Sequence, residues 1–117
     1  MSGEWFRPIA VDAADEPEIG GPAPDRLISG APIFRTWNLE ERPDGLYAGI
    51  WESTPGKWRV KYDEWEYCRI LAGVSVITEN NGASRRVEAG DSFIIRPGFE
   101  GSWEVIETTR KEYVIKL

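Results

Sequence analysis

Gly56-Lys57-Trp58-Arg59-Val60-Lys61-Tyr62-Asp63-Glu64-Trp65-Glu66-Tyr67-Cys68-Arg69-Ile70-Leu71-Ala72-Gly73 carries the pattern that decides the fold. Residues two apart on a strand face the same side. Val60 and Tyr62 therefore share one face, and Glu66, Cys68 and Ile70 share another. Working outward, Leu46–Thr54 runs into Pro55-Gly56, and Val74–Thr78 ends at Asn80-Asn81-Gly82, a strong hairpin signal because Asn and Gly tolerate positive φ. Arg85–Glu88 leads to Ala89-Gly90-Asp91, and Ser92–Arg96 stops at Pro97-Gly98. Ser102–Glu107 and Glu112–Leu117 finish the chain. No segment after residue 32 shows a 3.6-residue apolar period. About eight strands with Gly/Pro turns between them predict an all-β antiparallel sandwich or barrel, in which closure or double-sheet packing manages the edges.

Residues 1–32 differ in kind. They hold five of the eight prolines, four glycines, and six acidic residues against two basic ones. Proline removes donors and clashes with a preceding helical turn, so an extended arm is expected here, followed by a single barrel domain over 33–117. Its Trp5, Phe6 and Ile9 either belong to a flexible tail or pack on the barrel or on a partner subunit.

Composition narrows the chemistry. The 117 residues include no histidine and one cysteine, which removes a histidine base, a Ser-His-Asp triad, a Cys-His dyad and any His-rich or multi-Cys metal site. With 41% hydrophobic and 29% charged residues the chain is an ordinary globular one, and 117 residues suit a single domain. A net charge of −6, with no basic cluster longer than Arg85-Arg86 or Arg110-Lys111, argues against nucleic acid as a partner. No apolar run is long enough to span a bilayer, and the N-terminal residues lack a basic segment followed by an apolar one. A cytoplasmic protein with no membrane partner is expected, and the lone Cys68 agrees with a reducing compartment.

The 56–73 stretch and Gly90-Asp91-Ser92-Phe93-Ile94-Ile95-Arg96-Pro97-Gly98-Phe99-Glu100-Gly101-Ser102-Trp103 together resemble the two motifs of the cupin superfamily, the small RmlC-like jelly-roll barrels built as a double-stranded β-helix. Glu66 stands six residues before Gly73, as the family's glutamate does. Gly90-Asp91 and Pro97-Gly98 match the second motif with the proline one place late. Trp103-Glu104-Val105 and Arg110-Lys111-Glu112-Tyr113-Val114-Ile115 look like the single-domain cupins grouped with the cupin half of (S)-ureidoglycine aminohydrolase. The resemblance covers roughly residues 33–117 and implies a barrel with both alternating sets turned inward, faced by Gly101, Trp103 and Val105. It also places Val60, Tyr62, Glu66 and Gly101 at the positions where metal-binding cupins carry three histidines and a carboxylate. One carboxylate and a phenol cannot hold a transition metal, which wants several converging imidazole or carboxylate donors, so no metal and no cofactor is expected.

The pocket that the resemblance implies is lined by Trp51, Tyr62, Glu66, Cys68, Trp103 and Lys111, a mostly apolar wall with few polar groups, suited to a small organic ligand. Glu66 is the candidate catalytic residue, as a general acid or base tuned by burial; alternatively it is a carboxylate satisfied by a nearby Arg or Lys. Cys68 is a nucleophile only if a cation lies close, and otherwise an inert buried thiol. Arg59, Arg69 and Lys111 are the cations to watch. A guanidinium at the mouth would favour a carboxylate ligand, whereas on a solvated face these residues would pair with Glu64, Glu104 or Glu112. The leading functional expectation is a metal-independent, small-molecule-binding cupin acting as a homodimer. Two others stand beside it: a metal-independent isomerase or hydrolase of a ureido, amino-acid or sugar-like metabolite, and a structural or assembly module.

Overall fold

The computed structural model describes residues 5–117, and its regular elements are all strands. There are nine: β1 (Glu18–Gly20), β2 (Leu27–Gly30), β3 (Phe34–Glu41), β4 (Leu46–Ser53), β5 (Gly56–Lys61), β6 (Trp65–Glu79), β7 (Ser84–Glu88), β8 (Ser92–Ile95) and β9 (Glu100–Lys116). Every pairing is antiparallel. The order along the sheet is β1-β3-β4-β9-β5-β2, with β6 on the other edge of β9 and β7 and β8 both hydrogen-bonded to β6. The sheet curls on itself into a small jelly-roll barrel, as the alternation and turn spacing predicted.

Two long strands organise this curl. β9 pairs with β5 through residues 100–105 and with β4 through residues 109–116, while β6 runs along its opposite edge. The sequence pattern suggested separate strands on either side of Ala72-Gly73 and of residues 108–111; both pairs are continuous. Gly73 explains the first case. Its φ is +86°, and a Cβ built there would run into the Thr108 carbonyl, so glycine permits a bend at a close approach of β6 to β9 and does not end the strand. Register shifts between Ile70 and Ser75 accompany the bend, and the inward set changes from Glu66, Cys68 and Ile70 to Ser75 and Ile77. The Asn80-Asn81-Gly82 turn joins β6 to β7 as predicted, with Gly82 at φ +96° and the Ala83 amide donating to Asn81 Oδ1.

The proline-rich residues supply two short outer strands, β1 on β3 and β2 on β5, both solvent-exposed along their length. No proline lies inside either strand; Pro17, Pro22, Pro24 and Pro32 stand in the connections that flank them, where a missing amide breaks no ladder bond. Trp5 and Phe6 remain 94% and 77% exposed, so within one chain they do not pack into the barrel. The core lies between the curled faces, formed by Trp58, Tyr62, Cys68, Ile70, Ile77, Val87, Ile95, Trp103 and Val105.

Candidate functional site

One end of this core opens into a cavity of about 410 Å³. That is within the usual size of a small-ligand pocket, on the order of 300–1,000 Å³. Its wall is aromatic because three strands bring inward-facing rings together: Phe34 from β3, Trp51 from β4 and Trp58 from β5. The centroid distances are 5.3 Å for Phe34–Trp51, 4.9 Å for Phe34–Trp58 and 6.1 Å for Trp51–Trp58, all tilted pairs of the kind aromatic quadrupoles favour. Trp103 from β9 meets the edge of Trp51 at 5.7 Å.

Beneath the rings lies a buried polar chain. Tyr62 donates its hydroxyl to Glu66 Oε1 at 2.6 Å, and Lys111 Nζ donates to Glu66 Oε2 at 3.0 Å. Glu66 and Lys111 are only 3% and 5% exposed. Lys111 Nζ also lies 4.5 Å from the Trp103 ring centroid, 4.7 Å from that of Trp51 and 3.7 Å from Cys68 Sγ. Two ring faces, a carboxylate and a soft sulfur thus take the place of the water the ammonium has lost. Trp103 is held in turn. Its Nε1–H donates to Ser75 Oγ at 3.1 Å, while Thr109 gives its hydroxyl proton to the Glu107 carbonyl at 2.8 Å. The 2.7 Å contact between Ser75 and Thr109 must therefore be Ser75 donating to Thr109.

The protonation states follow from this packing. Burial, then Glu66, holds the Tyr62 phenol well above its usual value. Burial pushes the Cys68 thiol up to about 12, against the pull of Lys111 and with the help of Glu66. Burial alone would lower the Lys111 ammonium, but its neighbours Cys68 and Glu66 outweigh it and the net direction is up. Tyr113 is raised to about 12 by burial, opposed by Lys111 and assisted by Glu66, Glu18 and Glu41. At neutral pH the floor thus carries a phenol, a thiol and an ammonium, all protonated. Lys111 has no free lone pair and Cys68 no thiolate, so neither is primed as a nucleophile. Both Glu66 oxygens already accept hydrogen bonds.

Of the residues singled out from the sequence, Trp51, Tyr62, Glu66, Trp103 and Lys111 line the cavity together. Cys68 is fully buried behind Lys111 and does not reach the open space. Gly101 pairs with Val60 across β5 and β9 and presents no face to the pocket; a Cβ there would run into the Thr78 carbonyl. Arg59 and Arg69 are exposed, on the outer face of strands whose inner-face residues are buried, and do not line the cavity, so no guanidinium guards it. The sequence reading missed Phe34, Asn38 and Tyr113, the last of which donates to Asn38 Oδ1 at 2.7 Å, and the mouth carboxylates Glu18 and Glu64. The alternation Phe34, Thr36, Asn38 along β3 and Lys111, Tyr113, Ile115 along β9 was the available signal.

The cupin resemblance would put a metal ion here, and the donor set does not fit one. Val60 is aliphatic, Gly101 has no side chain, Tyr62 spends its proton on Glu66, and Glu66 already holds an ammonium. Among the described residues no group of three or more Asp, Glu or Cys side chains converges as a cation site.

The family of EutQ-like cupin domains matches residues 40–113. The chain belongs to the EutQ-like cupin family. Several of the solved structures that resemble this EutQ-like cupin bear on it. A Pseudomonas syringae pv. tomato protein of the DUF861 family is 28% identical with a TM-score of 0.79, over 91% of this chain and 46% of that one. The Clostridium difficile EutQ protein is 18% identical with a TM-score of 0.66, over 74% of this chain and 64% of that one, a likeness of fold. A DUF861 family protein from Thermotoga maritima is 34% identical with a TM-score of 0.53, over 55% of this chain and 73% of that one. The EutQ-like cupin spans about half the length of the first of these. Among curated proteins nothing matches it.

Proposed function

We propose that this EutQ-like cupin is a binding module that takes a small organic molecule into its aromatic cavity without a metal ion. The observation that carries the reading is the Tyr62–Glu66–Lys111 chain lying under an open cavity of about 410 Å³ walled by Phe34, Trp51, Trp58 and Trp103. The protein places a fixed ammonium on the cavity floor, and the rings around it give an apolar ligand body the area it needs to bind. A binding role is favoured over turnover by the state of Glu66, whose two oxygens are engaged by Tyr62 and Lys111. Ureido and amino compounds are the first to try, on the strength of the likeness of residues 103–105 and 110–115 to the ureidoglycine aminohydrolase cupins. The test is a thermal-shift screen of small metabolites followed by a crystal structure with the best hit. Saturating ligand at about 100 times its Kd adds about 2.7 kcal/mol to stability, well within the reach of such a screen. A screen without hits, together with a crystal structure in which side chains fill the cavity, would end the proposal.

A further inference from the structure

The charges around the cavity are lopsided. Its wall carries three carboxylates, Glu18, Glu64 and Glu66, and a single cation, Lys111. Lys111 and Glu66 neutralise each other on the floor at 3.0 Å. That leaves the negative charges of Glu18, from the first strand, and Glu64, from the loop before β6, at the mouth. Neither forms an ion pair among the described residues. The cations beside them do not compensate: Lys61, three places before Glu64, and Arg35, opposite Ile19 in the β1–β3 pairing, are both exposed and neither lines the cavity, while Arg110 is turned to Glu52 at 3.1 Å. The whole chain adds to this negative field with a net charge of −6.

We infer that the cavity selects a small primary ammonium compound with an apolar or aromatic body, the body lying against Phe34 and Trp58 and the ammonium turned outward to Glu18 and Glu64. The orientation follows from two facts. A second ammonium on the floor would face Lys111 at short range, and Lys111 already covers the Trp51 and Trp103 faces. Among the described residues neither Phe34 nor Trp58 has a cation over it, and the half-buried Phe34, backed at 4.9 Å by the buried Trp58, offers the apolar surface. A carboxylate ligand would meet Glu18 and Glu64 on entry and find the one ammonium committed to Glu66.

The inference rests on the binding reading given above, and its test separates the two. Three probes share a phenylethyl body and differ in the head group, cationic, neutral or anionic: 2-phenylethylamine, 2-phenylethanol and 3-phenylpropanoate. Titrated into the full chain at pH 7 by calorimetry and by quenching of tryptophan fluorescence, the amine is expected to bind tightest and the carboxylate weakest. Raising the salt from 20 to about 500 mM should weaken the amine and leave the alcohol nearly unchanged, because exposed charges are screened over about 10 Å at 0.1 M. Glu18→Gln and Glu64→Gln are each expected to weaken the amine by about two- to fivefold without affecting the alcohol, the size of an exposed charge contact. Unchanged circular dichroism would show that the variants keep the fold. An alcohol that binds as tightly as the amine, a carboxylate that binds tighter, or failure of all three probes overturns the charge assignment. In the first two cases the cavity still binds and only the ligand class is wrong; the metabolite screen alone decides the binding reading itself.

Discussion

Replacing Lys111 with methionine is the sharpest probe of the site, because it keeps the length and apolar stem of the side chain and removes only the charge. With Nζ 3.0 Å from Glu66 Oε2, the attraction at an effective dielectric of 20 is about 5.5 kcal/mol. Much of that is offset by the desolvation of both ions. What the variant feels is the stranded partner. Glu66, 3% exposed, keeps only the Tyr62 hydroxyl, and breaking a buried pair from one side typically costs about 3–5 kcal/mol. For a chain of this size that is a fall in Tm of about 10–20 °C. The double variant Lys111→Met with Glu66→Leu replaces the pair with apolar groups and is expected to recover most of the loss, giving a coupling energy above about 2 kcal/mol. Guanidinium denaturation at pH 7, analysed with a shared slope, measures all four corners of the cycle. Should Lys111→Met cost less than about 1 kcal/mol, or should the two single losses simply add in the double variant, the buried ion pair is not what holds the floor.

Alkaline pH should expose the buried thiol. A Cys68 held at about 12 when folded, against 9.0 as its ordinary value, binds a proton that the unfolded chain releases. Its contribution is therefore full below pH 9 and is lost as pH rises toward 12. Between pH 9 and 9.5, where tyrosine and lysine in the unfolded chain are still mostly protonated, stability should fall with a slope of about 0.7–1 kcal/mol per pH unit. Cys68→Ala should flatten that interval in a series of urea midpoints; a wild-type curve flat to pH 10 would contradict the burial argument. By the same reasoning Cys68 should react with a thiol reagent at pH 8 only at the rate of unfolding, and rapid native-state labelling would contradict it. Ser75→Ala strands the Trp103 indole N–H and should cost about 1–3 kcal/mol, with a shifted tryptophan emission as the local readout. Gly73→Ala forces a Cβ at φ +86° into the Thr108 carbonyl and should cost more than the roughly 1–2 kcal/mol of the left-handed backbone alone; a variant of wild-type Tm would show that the bend is not required.

What the sequence revealed of the fold was its local part. The alternation Glu66, Cys68, Ile70 needs only the two-residue period of a strand, and those side chains are buried in the structure. The hairpin at Asn80-Asn81-Gly82 likewise depends on the φ preference of a single glycine. Gly73 was misleading for a physical reason. A glycine at positive φ serves equally at the end of a strand and at a bulge within one, and only the neighbouring Thr108 carbonyl, 35 places along the chain, decides between them. The two outer strands among the proline-rich residues were hidden because they are three and four residues long and fit between the prolines, too short for a two-residue alternation to show. In the site, Tyr62, Glu66 and Trp103 were legible from motif spacing. Lys111 was picked out as a candidate, but its bond to Glu66 depends on the β6–β9 register that sets it opposite Ile70, from where its long side chain reaches back along the barrel wall. Phe34, Asn38 and Glu18 come from strands outside both motifs, and only closure of the sheet brings them to the cavity.

The position of the ion pair bears on its purpose. A buried Glu–Lys pair is a poor means of stabilising a barrel, since apolar side chains of similar volume often serve as well or better. This core has apolar material in abundance, with Ile70, Val105 and Trp58 in the same cluster. Lys111 and Glu66 are not distributed through it. They lie together where the cavity reaches the core, joined to Tyr62 and overlaid by Trp51 and Trp103, while Arg59 and Arg69 on the neighbouring strands face solvent. The network is fully satisfied: among the described residues no buried side-chain nitrogen or oxygen lacks a partner. A satisfied polar network inside a small core fixes the geometry of what surrounds it. Here it surrounds an open cavity, so its rigidity is of use to whatever enters, and the residues that a purely structural account would make aliphatic are the ones on which the proposed binding role depends.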